Sequence, residues 1–366
     1  MRIFLGLILA VMGGTSVSAD IDSSSGRIGV EKLVGGLTEP WAIGFLPGGG
    51  ALITERGGRL LHRATDGTMT ELRHGLELAV IGQGGLLDVM IPRDFPTSRD
   101  VFLSFSIPQG SPTQAGTALA VGRLNEVGDR LEDMRLLFQM APGTLGGRHF
   151  GSRIAESADG RLFLTIGERG DRPEAQNLDS HNGTVVRLNR DGSVPDDNPF
   201  VGVPGARPEI YSYGHRNPQG AAVDAQGQLW AVEHGAKGGD EINRVAPGAN
   251  YGWPVISYGR HYSGAVIGEG TAREGMQQPE FYWDPSIAPS GMMIYSGKLW
   301  PDWAGDFFVG SLKFDYIARL DGTPLHETEQ LQSDETIRVR DIREAPDGSI
   351  WFLSVGQGAL YRMTPG

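Results

Sequence analysis

The sequence predicts an all-β fold, a six-bladed β-propeller with mainly four-stranded antiparallel blades. Three observations lead there: a paired-strand unit recurs six times, glycine is abundant without a period, and no segment carries a long amphipathic helical pattern. The 55 glycines in 366 residues are roughly double ordinary usage. Lacking the every-third spacing of collagen, they mark tight turns between short strands.

Each unit is an apolar run, a turn and a second apolar run. The pairs are residues 41–47 with 51–56, 85–90 with 101–105, 152–155 with 162–167, 220–223 with 229–232, 291–295 with 306–310, and 341–344 with 350–353. Outer strands follow at 58–63, 183–188, 241–245, 316–320 and 359–363, each with an apolar-polar pattern that ends near a turn. A four-stranded sheet cannot bury both faces alone, whereas six arranged radially bury their faces against one another. Residues 27–34 read as a further strand that completes the sixth blade and hides its edge. The competing architecture is two β-sandwich domains, but no linker divides the chain and the unit recurs throughout.

Residues 1–19 read as a secretory leader. Arg2 gives a basic start, residues 3–12 are apolar but for Gly6, and Val17-Ser18-Ala19 offers a cleavage site before Asp20. The run is too short for a membrane anchor, which needs about 20 apolar residues; a buried N-terminal strand is the alternative. The expectation is one catalytic domain at residues 20–366, periplasmic or secreted, without stable membrane insertion. With no cysteine, stability must come from packing rather than disulfides, with bound metal as a further candidate source. The 32 Lys and Arg against 44 Asp and Glu give a formal charge of −12 without a basic run, which argues against nucleic-acid binding.

A propeller brings the residues before its inner strands to one channel mouth. Gln83 precedes the second unit, Arg148-His149 the third, Arg216-Asn217 the fourth and Ser286 the fifth. Arg338 and Arg340 bracket Val339 before the sixth, on one side of a strand by alternation, and Lys313 follows the fifth unit's second strand. Cations gathered at one pocket imply a polyanionic ligand, because unpaired and partly desolvated charges are costly. His149 is the one member that readily removes and returns a proton near neutral pH. The plainer readings are a structural histidine and an Arg216 that forms a surface salt bridge. His62 and His74 read as surface or turn residues, and His181 as a supporting group. A second signal is residues 233–241, a carbonyl-rich glycine turn flanked by carboxylates, which suits a hard cation such as calcium but lacks EF-hand spacing. His234 has no close His or Cys companions to suggest zinc.

The segments GQGGLLDV, GGRHFGSRI, SYGHRNPQG, EHGAKGGDEINR, ANYGWPVISYG, WDPSIAPSG, SLK and RVRDI occur in that order. From about residue 36 to 365 the chain resembles the soluble pyrroloquinoline quinone (PQQ)-dependent aldose sugar dehydrogenases, related to soluble quinoprotein glucose dehydrogenase. The resemblance implies a quinone over the channel mouth and oxidation of aldose sugars at C1 to lactones, with an external electron acceptor. It implies that His149 takes the proton of the C1 hydroxyl as hydride moves to quinone C5. Arg216 would stand beside the reactive carbonyl and Asn217 would bind the cofactor. Lys313, Arg338 and Arg340 would neutralise its carboxylates, with Gln83 and Ser286 as further polar contacts. The main-chain carbonyls of Gly235 and Ala236 would ligate calcium, and Glu241 with the Tyr251 carbonyl would belong to a second calcium site. Ala236 stands where the family's glucose dehydrogenase has proline, which leaves this loop less preorganised. A calcium-dependent lactonase and a non-catalytic sugar-binding propeller are the other functions considered.

Overall fold

The computed structural model describes residues 19–366, so the expected leader lies, but for Ala19, outside the described residues. The described chain folds into six antiparallel sheets arranged as the blades of a propeller. The inner strands are Pro40–Phe45, Leu86–Met90, Ile154–Glu156, Pro218–Val223, Pro289–Ile294 and Val339–Glu344 for blades 1 to 6. Each inner strand packs against the next, and the sixth packs against the first, so the ring is closed. Blades 1, 3, 4 and 5 have four strands. Blade 2 gains the short strand Thr144–Leu145. In blade 6 the N-terminal strand Gly26–Val34 pairs with the C-terminal strand Ala359–Pro365, and Ala19–Ser23 adds beyond it. The two chain ends thus fasten the ring, as expected for residues 27–34, and no helix among the described residues is long and apolar enough to cross a membrane.

The packing explains the sequence pattern. Ala51–Glu55, Leu162–Ile166, Phe307–Ser311 and Ile350–Ser354 are buried at every position, because a blade's second strand is covered on both faces by neighbouring blades. They therefore read as continuous runs. The outer strand His326–Leu331 alternates because one face meets solvent. Six apolar clusters each fill one seam between adjacent blades, among them Leu52 with Leu103 between blades 1 and 2, and Ile53 with Leu353 between blades 1 and 6. Buried hydroxyls stitch the seams nearer the axis: Thr165 Oγ1 donates to the Pro218 carbonyl at 3.1 Å.

Five of the inner strands carry a register shift near their start. A bulge leaves one residue unpaired and re-aims its side chain. In blades 1, 4 and 6 that residue is Trp41, Gln219 and Arg340, and all three face the cavity described next.

Candidate active site at the channel mouth

A cavity of about 880 Å3 opens where the inner strands begin. Gln83, Asn217, Ser286, Lys313, Arg338, Arg340, Gly235 and Ala236 all line it. His149 and Arg216 stand one hydrogen bond behind the wall. The His149 main-chain N–H donates to Gln83 Oε1 at 2.7 Å. Arg216 NH1 donates to the carbonyl of His234, itself a wall residue, at 3.2 Å.

His149 sits between blades 2 and 3 with φ at 56°, a left-handed conformation that costs energy for a residue with a side chain. Its ring is fixed through Nδ1, which lies 2.8 Å from Glu168 Oε1, leaving Nε2 as the other ring nitrogen. Glu168 is itself buried and also accepts from the Gly170 N–H. Burial pushes the His149 imidazole below its usual pKa, while the Glu168 hydrogen bond raises it and the Arg216 charge lowers it. Gly167 is required beside them, since a Cβ there would meet the His149 carbonyl oxygen at 2.1 Å and Asn217 Oδ1 at 2.9 Å. Asn217 Oδ1 accepts from the Gly151 N–H at 3.2 Å and from Gln219 Nε2 at 3.3 Å. Arg216 is 7% exposed, stacks over Trp253 at 5.3 Å, and its Nε has no partner among the described residues.

The wall cations are held by oxygens that carry no charge. Lys313 Nζ donates to the Ser286 carbonyl at 3.2 Å, Arg338 NH1 to the Leu312 carbonyl at 3.0 Å, and Arg340 NH1 to Gln219 Oε1 at 2.9 Å. Among the described residues none of the three forms an ion pair; by contrast the wall residues Arg56 and Glu39 pair with each other. Burial and the charges of Arg153 and Arg338 push Arg340 down to about 9. Burial with the charges of Arg216 and Arg340 pushes His234 down to about 3, and its Nε2 lies 2.6 Å from the Pro289 carbonyl. His234 is therefore a neutral donor at this wall.

Arg338 and Arg340 do reach one cavity, but not by simple alternation. Arg338 precedes the strand with φ at 54°, and Arg340 occupies the bulge. Sequence reasoning also missed the layer beneath. Arg153 NH1 lies 3.0 Å from both Asp88 and Asp341, and Arg343 reaches the same two carboxylates at 3.1 Å. This four-ion group joins blades 2, 3 and 6, and Arg153 Nε donates to the Gln219 carbonyl of blade 4 at 3.0 Å. Glu168 was missed as well; its signal was a lone carboxylate in a glycine turn directly after an inner-strand hairpin. His181 is buried between Ala141, whose N–H donates to its Nδ1, and Phe138, at the seam of blades 2 and 3.

The expected metal residues divide into two neighbouring places. Gly235 and Ala236 line the main cavity. Glu241, Tyr251 and Glu233 surround a small void behind it, and Gly235 borders both. A Cβ at Gly235 would fall 2.2 Å from the carbonyl oxygens of Gly238 and Gly239, so only glycine fits this turn. Burial and the adjacent Glu233 push Glu241 up to about 8, and Asn243 Nδ2 donates to both carboxylates. Among the described residues no three His, Asp or Glu side chains gather as a metal cluster.

A closed propeller with a cation-lined cavity beside a buried His–Glu pair suits proton transfer next to a bound anion. The chain belongs to the glucose/sorbosone dehydrogenase family, whose profile matches residues 37–362. It is 41% identical to the aldose sugar dehydrogenase YliI of Escherichia coli K12 over 95% of this chain and 96% of that protein. The apo-form structure of the soluble E. coli aldose sugar dehydrogenase superposes with a TM-score of 0.89 at 40% identity, covering 93% of this chain and 100% of that one. The PQQ-bound aldose sugar dehydrogenase of Streptomyces coelicolor superposes at 0.77 with 26% identity, covering 92% and 98%.

Proposed function

We propose that this protein oxidises aldose sugars at C1 to lactones, with PQQ held in the cavity and calcium beside it. One observation carries the reading: Lys313, Arg338 and Arg340 converge on the cavity without ion-pair partners among the described residues, next to the buried His149–Glu168 pair. Such a wall fits a cofactor with several carboxylates, since leaving those cations unneutralised would be costly. PQQ, when bound, supplies the two-electron acceptor for the hydride that leaves C1.

The chain's own residues do the rest. Lys313 and Arg338, at the outer wall, hold carboxylates away from the reacting end. Arg340 is fixed by Gln219 and sets the tilt of the bound group. Gln83, Ser286 and Asn217 supply polar contacts that fix its orientation. His149 accepts the proton of the sugar's C1 hydroxyl at Nε2, because Nδ1 is committed to Glu168. Glu168 fixes the ring and stabilises the imidazolium that forms. Arg216, whose Nε has no partner among the described residues, supplies positive charge where negative charge develops.

Calcium is assigned to the carbonyls of Gly235 and Ala236. A second calcium is assigned to Glu241 and the Tyr251 carbonyl, where two adjacent buried carboxylates call for a cation and the ligands are oxygens. The leader-like residues 1–19 support work outside the cytoplasm, with electrons passed to an external acceptor. Purified apoprotein given calcium and PQQ should reduce an artificial acceptor in the presence of several aldoses. Loaded protein that shows no sugar-dependent reduction sinks the reading; hydrolysis of lactones without quinone would mark a lactonase, and sugar binding without turnover a binding module.

A further inference from the structure

A second concavity, of about 440 Å3, lies between the outer strand Phe281–Trp283 of blade 4 and the outer strand His326–Leu331 of blade 5. Its volume falls in the roughly 300–1,000 Å3 range of small-ligand clefts. Asp284 and Pro285, on the connection between the two blades, line both this groove and the main cavity, so the groove starts at the cavity rim. We propose that it is a saccharide subsite, holding the sugar units of an oligosaccharide that trail behind the unit undergoing oxidation. The proposal rests on the reading of the main cavity as an aldose site.

The wall chemistry selects that ligand. Phe314, 39% exposed on the turn of blade 5, offers a ring against which the C–H face of a pyranose can pack. The exposed amides Gln330 and Gln332 each carry donors and an acceptor, matching hydroxyls that do both. Glu327 is held as an acceptor by two donors, Trp283 Nε1 and Gln330 Nε2, each at 2.5 Å. The balance of charge separates this groove from the main cavity, where Lys and Arg side chains outnumber the carboxylates Glu39, Asp284 and Asp315. The groove's charged lining groups are the carboxylates Asp284 and Glu327, with Lys313 outside the lining and folded over the Phe314 ring at 4.7 Å. A polyanion is therefore directed to the cation-lined cavity, and a neutral polyhydroxyl chain suits the groove.

The test uses the enzyme loaded with PQQ and calcium. Steady-state kcat/KM is measured for glucose and for the α-1,4 and β-1,4 glucose di- and trisaccharides, in wild type, Phe314→Ala, Phe314→Tyr and the double variant Gln330→Ala/Gln332→Ala. Phe314→Ala should leave glucose unchanged and lower the trisaccharide-to-glucose ratio by about two- to tenfold, the range of a lost aromatic contact. Phe314→Tyr should preserve the ratio, and the double amide variant should lower it. In parallel, trisaccharides reduced to their alditols, which have no C1 hemiacetal to oxidise, are titrated calorimetrically into the same proteins. Alditol binding weakened by Phe314→Ala supports the subsite whatever the fate of the catalytic reading. Glucose oxidation with an unchanged trisaccharide ratio in every variant, for both linkages, overturns the subsite and leaves the aldose reading standing.

Discussion

Replacing Glu168 by glutamine isolates the charge behind the proposed base. The Nδ1···Oε1 contact is 2.8 Å, both side chains are largely buried, and the carboxylate also holds the Gly170 N–H. A hydrogen bond to a charged group contributes about 1.5–3 kcal/mol. If that stabilisation is felt mainly when His149 becomes protonated, kcat falls by about 10- to 150-fold, since each 1.36 kcal/mol is tenfold. The pH profile moves in a distinctive direction. Neutral imidazole is the active form, so activity holds above the His149 pKa and is lost as pH falls through it. Burial already places that pKa below its usual value, and Glu168 raises it. Removing the carboxylate lowers it further, so the acid limb of kcat/KM moves to lower pH even as the plateau drops. General loosening of the site would lower the plateau without that shift. Turnover is measured at saturating cofactor across the acid range in wild type, Glu168→Gln, His149→Ala and the double variant. His149→Ala alone should cost about 10²–10⁴-fold, and adding Glu168→Gln should cost little more. A plateau within about twofold of wild type with an unmoved acid limb would refute the coupling.

Lys313→Ala and Arg338→Ala should weaken PQQ affinity in a fluorescence titration while saturated turnover largely recovers; unchanged affinity in both removes the cation cradle. Arg216→Ala should keep turnover low even at full occupancy, because its charge is assigned to the transition state, and full recovery on saturation would make it a binding residue only. A calcium-selective chelator should abolish activity and lower the unfolding midpoint, both restored by added calcium; indifference to the chelator removes the metal assignment. Asp88→Asn leaves the buried Arg153 and the half-buried Arg343 against one carboxylate, so denaturant unfolding should show a loss of up to about 3–5 kcal/mol, and a loss near zero would mean that the axial ion group is not a structural keystone.

The blades were legible because each is local: a hairpin of apolar runs punctuated by glycine can be read within about 20 residues. The mouth residues were legible for the same reason, since a propeller makes strand starts equivalent. What escaped the sequence depends on partners in other blades or on irregular backbone. Asp88 and Arg153 read as ordinary members of strands 85–90 and 152–155, and nothing local announces that each finds its counter-ions in other blades. Glu168 and His149 flank the same hairpin of blade 3, but they meet beyond its regular pairing, where the left-handed backbone at His149 sets the geometry and alternation gives no guide. Alternation placed Arg338 and Arg340 together, whereas a left-handed residue and a bulge achieve it. The outcome bears on function, because arginines with opposite fates lie within one channel. Arg153 and Arg343 are balanced by Asp88 and Asp341, so the axis is plugged by a group of zero formal charge. One layer above, Lys313, Arg338 and Arg340 have carbonyl or amide oxygens instead of carboxylates. Gln219 joins the layers, its carbonyl bound by Arg153 and its side chain by Arg340. In a chain of formal charge −12, the cavity wall carries six Lys and Arg side chains against the carboxylates Glu39, Asp284 and Asp315, a local excess of positive charge that suits a bound anion. Because Asp88 and Asp341 are already bound by Arg153 and Arg343, the floor offers the wall cations no free carboxylate, and this favours the proposed binding of an anionic cofactor at the mouth.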